Sequence, residues 1–131
     1  MERAVHGEFK FMRTGQIIVI TFAGTWNLEC AQFFFSQYTA FVSQSGLRRF
    51  AVISDLLSLE GATPEALEYF VRVTEWGLKN GQVARALIAD SGYKEFMVES
   101  IDKNERPFPA RVFGRQDDAL PWLQTLGLEV Q

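Results

Sequence analysis

At 131 residues the chain is close to the common size of one domain, long enough to bury roughly two-thirds of the surface its unfolded form exposes. Hydrophobic residues make up 47% and charged residues 22%, which excludes a disordered or fibrous class. The formal charge of −3, with basic residues scattered, argues against nucleic acid as a partner, because phosphate neutralisation needs a concentrated cationic surface.

In chain order, residues 8–13 alternate Phe9 and Phe11 against Lys10 and Met12, Thr14-Gly15 breaks the pattern, and residues 16–22 are almost continuously apolar. This predicts a hairpin whose second strand is buried on both faces. Asn27 is placed to cap a helix over residues 28–43, closed by Gly46. A buried strand over 49–55 follows, then a loop over 56–62. Thr63-Pro64-Glu65 is the strongest helix start in the chain: threonine caps, proline suits the first helical position, and glutamate complements the helix dipole. That helix should run to Lys79 and stop at Asn80-Gly81.

A strand over 83–89 comes next, and Asp90 or Ser91 opens a helix reaching Ile101. Pro107 and Pro109 punctuate the approach to a last strand over 110–113. The closing helix is placed over 118–126, because that start keeps Pro121 in the first turn, where its missing N–H costs nothing. Gly127 then caps it and Leu128 makes the accompanying apolar contact. The order is ββαβαβαβα, a single α/β domain over 1–131 with a mixed, mostly parallel sheet packed with helices and the first strand antiparallel at or near an edge.

The residue types that announce catalysis are sparse. Cys30 is the only cysteine and His6 the only histidine, so there is no disulfide, no Cys-His pair to argue from sequence and no metal-ligand spacing. Neither a cofactor nor a metal is expected, and the chain is read as non-enzymatic. Cys30 is expected to be a small buried hydrophobe. Residues 1–9 lack the apolar region of a secretory signal and no apolar stretch reaches bilayer length, which points to a soluble cytoplasmic protein.

Two groups of residues mark candidate surfaces. Asp55, Ser58, Thr63, Asp90 and Ser91 fall at the carboxyl ends of predicted parallel strands, the edge where open α/β sheets place ligands. The plainer reading is that Asp55 shapes its loop and that Asp90 or Ser91 caps a helix. The second group is aromatic. In the first helix Leu28, Ala31, Phe35, Tyr38 and Val42 form a stripe sufficient to cover a sheet, which leaves Cys30, Phe33, Phe34 and Phe41 elsewhere. In the second, Leu67, Phe70, Val71, Thr74 and Leu78 are expected to face the core, with Tyr69, Val73 and Trp76 on another stripe. This surplus has three outlets: helix–helix packing within the domain, a homodimer interface, or a surface for an apolar small molecule or a membrane. Phe33, Phe34, Phe41, Tyr69, Val73 and Trp76 are the candidates for such a surface.

The segments VISDLLSLEGATPEAL, TFAGTWNLE and VFGRQDDALPWL resemble the sporulation stage II protein AA-like family of the STAS superfamily, which includes the anti-sigma-factor antagonists. The resemblance implies a superhelix of β-α turns, a fold also seen in CRAL-TRIO lipid-transfer domains. In regulatory STAS proteins a strand-ending Asp precedes a loop whose Asp-Ser-Ser-Gly, at a helix N-terminus, carries a phosphoserine. Setting Asp55 on that strand-ending Asp places Thr63 on the second Asp, Pro64 and Glu65 on the serines and Ala66 on the glycine, so the phosphoacceptor is absent. The expected function is a STAS-like binding module that takes up an apolar small molecule or associates peripherally with membrane through its first two helices. The alternative is a protein-interaction regulator that uses residues 56–64.

Overall fold

The alternation of Phe9 and Phe11 with Lys10 and Met12 becomes β1 (Glu8–Thr14) in the computed structural model, which describes residues 5–90, 92 and 108–131. It pairs antiparallel with β2 (Ile17–Trp26), placing Phe11 opposite Ile20. The turn between them requires Gly15, whose φ of 60° is left-handed and whose missing Cβ would collide with the backbone of Glu129. Next come α1 (Leu28–Ser45), β3 (Phe50–Ala62), α2 (Pro64–Lys79) and β4 (Gln82–Ile88), then β5 (Ala110–Phe113) and α3 (Gln116–Thr125). The helix expected from Asp90 or Ser91 to Ile101 lies outside the described residues, as does Ser91 itself.

The five strands lie in the order β1-β2-β3-β4-β5, with every pair but the first parallel. Successive right-handed crossovers that step the same way across a sheet leave their helices on one face, and α1 and α2 pack there together. That face is built from Ile18, Ile20, Phe22, Trp26, Phe50, Val52 and Leu56, with Phe34 and Tyr38 above them. The opposite face carries Ile17, Val19, Ala51, Ile53, Ala84, Ala86 and Ile88 and is covered by Ala119 and Leu123 of α3 and by Leu128.

Both N-terminal caps form as the sequence implies: Asn27 Oδ1 accepts from Cys30 N at 2.9 Å and Thr63 Oγ1 from Ala66 N at 3.2 Å. Gly46, at φ 71°, ends α1 in the left-handed conformation. Three boundaries differ most from expectation. β2 runs on to Trp26, where its strand was expected over residues 16–22. Residues 56–62 are strand rather than loop, because the far end of β2 supplies backbone partners: Ser58 pairs with Ala23, Leu59 with Gly24 and Ala62 with Trp26, and register shifts absorb the irregularity. The last helix begins at Gln116, two residues early, so Pro121 falls in its second turn. Asp117 and Asp118 in the first turn complement the dipole. Asp117 and Pro121 are both exposed, so water reaches the carbonyl that the proline leaves without a donor.

The C-terminal tail closes the fold. Arg49 donates from its guanidinium to Leu126 O at 3.0 Å and Gly127 O at 3.1 Å, satisfying carbonyls at the end of α3. Glu129 exchanges two hydrogen bonds with Gln16, and Thr14 Oγ1 donates to Val130 O.

Candidate functional site at the carboxyl edge of the sheet

Parallel strands joined by helices bring every strand's carboxyl end and every following helix's N-terminus to one edge. Asp55 stands where the sheet changes: it is the last β3 residue paired with β4, opposite Ile88, and beyond it β3 continues alongside β2. Its Oδ1 accepts from Leu57 N at 3.0 Å and its Oδ2 from Gln116 Nε2 at 2.7 Å. Asp55 therefore shapes the following backbone, as the plainer reading holds, and also ties β3 to the first residue of α3. Gln116 lies 61 residues away, and no spacing signal could have found it.

Past Asp55 the chain forms a held ridge. Leu57 is 41% exposed and Ser58 and Glu60 are exposed, while Leu59 turns toward the ring-lined core. Thr63 N donates to Trp26 O at 2.9 Å, fixing the end of the ridge to the end of β2, and the Thr63 hydroxyl then caps α2 with Pro64 and Glu65 exposed in its first turn. At the neighbouring helix start, His6 N donates to Asn27 Oδ1 and Asn27 N to His6 O, each at 3.2 Å. Asp90 is exposed two residues beyond the Ile88 that faces Asp55, so Asp55, Ser58, Thr63 and Asp90 do share this edge.

The aromatic candidates separate. Phe34 is 1% exposed and Val73 is buried, so neither lies on an outer face. Phe34 packs edge-on to Phe9 and stacks on Tyr38, with ring centroids 5.3 and 5.5 Å away. Phe41 stacks on Phe11 at 5.2 Å, and Phe35, expected against the sheet, meets Tyr69 and Trp76 of α2. The reason is geometric: α1 is flanked by β1 on one side and α2 on the other, so it buries an arc wider than a sheet contact alone. The stripe assigned to the core side of α2 is likewise rotated, leaving Val71 and Leu78 exposed. Of the six candidates only Phe33, at 49%, is an exposed side chain.

Beneath these helices lies a partly open cavity of about 80 Å³ whose walls include Phe22, Phe34, Phe70, Val73 and Leu87. Cys30 is fully buried, and burial pushes its thiol up to about 11, so it remains protonated and poorly nucleophilic at neutral pH. Among the described residues no group of three or more His, Cys, Asp or Glu side chains is placed to hold a metal.

No protein-family model and no curated protein sequence matches the chain. Solved structures do. A protein of the DUF3478 family with a SpoIIAA-like fold from Shewanella loihica superposes with a TM-score of 0.69 at 17% identity, covering 94% of this chain and 98% of the other. The anti-sigma factor antagonist SpoIIAA in its unphosphorylated form gives 0.63 at 13% identity, over 89% and 98%. An anti-sigma factor antagonist from Mycobacterium paratuberculosis gives 0.61 at 17%, over 90% and 94%. The chain thus has a SpoIIAA-like fold, as the sequence resemblance implies.

Proposed function

We propose that this protein is a non-enzymatic protein-binding module that docks a partner on the ridge from Leu57 to Glu65. The observation that carries the reading is the hydrogen bonding of that ridge, paired along β2 and fastened at Asp55 and Thr63. An exposed apolar side chain on an ordered strand, bordered by polar and acidic groups, presents a docking surface with little conformational entropy left to lose. The structural likeness to anti-sigma factor antagonists supports a role of this class.

The partner is engaged without a phosphoserine switch. Setting Asp55 on the family's strand-ending Asp without gaps puts Pro64 and Glu65 on the paired serines, and Glu65 gives the first turn of α2 a fixed negative charge. A membrane surface fits less well: Phe33 is the one exposed aromatic among the described residues. No helix among the described residues is long and apolar enough to cross a membrane.

A photocrosslinking amino acid in place of Leu57, introduced in the native cell, tests the reading. One discrete protein adduct from position 57, weakened by Glu65→Lys and missing when the crosslinker replaces Phe33, is the expected result. Equal adducts from both positions, or none from position 57, would remove the ridge as the docking surface. Stoichiometric phosphate on Ser58 or Thr63 that alters partner binding would overturn the unswitched mode.

A further inference from the structure

The β1 edge of the sheet is regular and open. Its register with β2 runs unbroken from Glu8 to Thr14, with neither the proline nor the bulge that commonly blunts an edge. Ala51 N donates to Gln16 O, so in β2 the even-numbered residues turn their backbone groups to β3 and the odd-numbered ones to β1. Ile17, Val19, Thr21 and Ala23 thus bond Thr14, Met12, Lys10 and Glu8, which leaves Phe9, Phe11 and Arg13 with N–H and C=O directed off the sheet. Among the described residues no strand pairs with that edge.

The helix beside this edge lacks the charge of a solvated surface. α1 carries a single charged residue, Glu29 in its first turn, whereas α2 carries Glu65, Glu68, Arg72, Glu75 and Lys79. Phe33 meets Phe9 and Phe41 stacks on Phe11. Helical spacing therefore sets Phe33, Gln37, Ala40 and Gln44 along the border with β1, and all four are exposed. Absence of charge around an exposed aromatic is the composition of an interface centre.

The strand selects its own occupant. An antiparallel second β1, with Phe11 opposite Phe11, matches every outward-turned residue by setting Phe9 against Arg13 on either side. Glu8 then faces Thr14 and Lys10 faces Met12, so no like charges stand directly opposite. Phe34 of α1 meets Phe9 and Phe11 of β1 as well as Phe22 and Trp26 of β2, which puts the helix over both strands. With strands about 4.8 Å apart, pairing the two edges brings the two α1 helices side by side, antiparallel, at about 10 Å, the ordinary spacing of packed helices.

We propose that β1 and the uncharged face of α1 form a two-fold interface with a second copy of this chain, making one continuous sheet of the two. The interface is separate from the partner-docking ridge, and the readings fail separately. A crosslinker at position 33 yields a doubled chain, distinct in mass from the partner adduct expected at position 57.

Sedimentation velocity of the full-length protein across micromolar concentrations should show a monomer–dimer equilibrium, with the amides of Phe9, Phe11 and Arg13 gaining exchange protection as the dimer fills. Ala40 adjoins Phe41, next to the two-fold axis at Phe11. Ala40→Arg and Ala40→Glu, each still melting cooperatively, should therefore both be monomeric, and their equimolar mixture should recover the dimer because opposite charges then meet across the axis. Arg13→Pro removes an outward N–H and spares the bonds to β2, so it should weaken the dimer about tenfold or more relative to Arg13→Ala. If Arg13→Pro does not fold, the Ala40 pair carries the test. A chain that stays monomeric throughout, or a dimer that Ala40→Arg leaves unchanged, would overturn the proposal. A crosslink from position 33 to a foreign protein would do the same by giving this face to another occupant.

Discussion

Under α1 and α2 the sheet is covered by rings, with Phe22, Trp26, Phe34, Tyr38 and Phe50 all buried, whereas under α3 it is covered by Ala51, Ala84, Ala86 and Ala119 interleaved with isoleucines. The two faces bury comparable strands by opposite means. Alanines let a helix approach the sheet backbone and leave little to arrange. Rings must tilt against one another, here with centroids 5.1–5.9 Å apart around Phe22 and Trp26, and flat objects set at such angles leave space between them. The cavity occurs on the ring-built face.

The contrast is broken most directly at Phe34. Its ring meets Phe9, Phe11, Phe22, Trp26, Tyr38 and Phe70, so Phe34→Ala should cost about 3–5 kcal/mol in chemical denaturation. A loss under about 1 kcal/mol would mean that the ring cluster is not the core. On the other face the opposite change is the informative one. Ala86→Leu crowds the contact with α3 and should cost about 1–3 kcal/mol, with amide shifts concentrated in α3. Tolerance of the larger side chain would show slack where the close packing predicts none.

A smaller effect separates the faces by pH. The fold holds Cys30 protonated, raising its thiol from 9.0 to about 11. The stabilisation this contributes is complete below pH 9, is lost as pH rises, and is gone above about 11. Cys30→Ala should flatten that part of the alkaline stability curve. The residual slope should then come from Tyr38, which burial shifts the same way. An unchanged curve would place the thiol in contact with solvent. The smallest effect belongs to Phe33→Ser at the open border of the ring cluster, which should cost about 1 kcal/mol by chemical denaturation, the worth of its contact with Phe9 at 5.5 Å.

The cores of the strands, both helix caps and the antiparallel first strand were legible in the sequence because they follow from local patterns: alternation, a short break at Thr14-Gly15, an asparagine or threonine before an apolar run, and a glycine after it. The orientation of α1 was less legible. A wheel shows that Phe33, Phe34 and Phe35 point apart, but not that β1 and α2 stand on either side to receive two of them, so the stripe was centred one residue too far round. Residues 56–62 resemble a loop because Ser58, Glu60 and Gly61 interrupt the apolar pattern. They become strand through backbone pairing with Ala23–Trp26, which composition does not register. The start of α3 lies two residues earlier than the proline rule implies because Asp117 and Pro121 are exposed and water can serve the freed carbonyl, and the Asp55–Gln116 bond has no local sign at all.

The anchors at the two ends of β2 set how this domain presents itself when tethered. His6 is fastened to Asn27 just beyond the carboxyl end of that strand, and Glu129 to Gln16 just before its amino end. A ten-residue strand spans about 33 Å, so a fusion attached ahead of residue 5 emerges beside the starts of α1 and α2, whereas one attached after residue 131 emerges at the far pole. Copies joined head to tail would string along the strand axis rather than fold back on one another. A circular permutant would need a connector of about ten extended residues to cover that distance, and a reporter placed at the carboxyl terminus leaves the ridge at Leu57 clear.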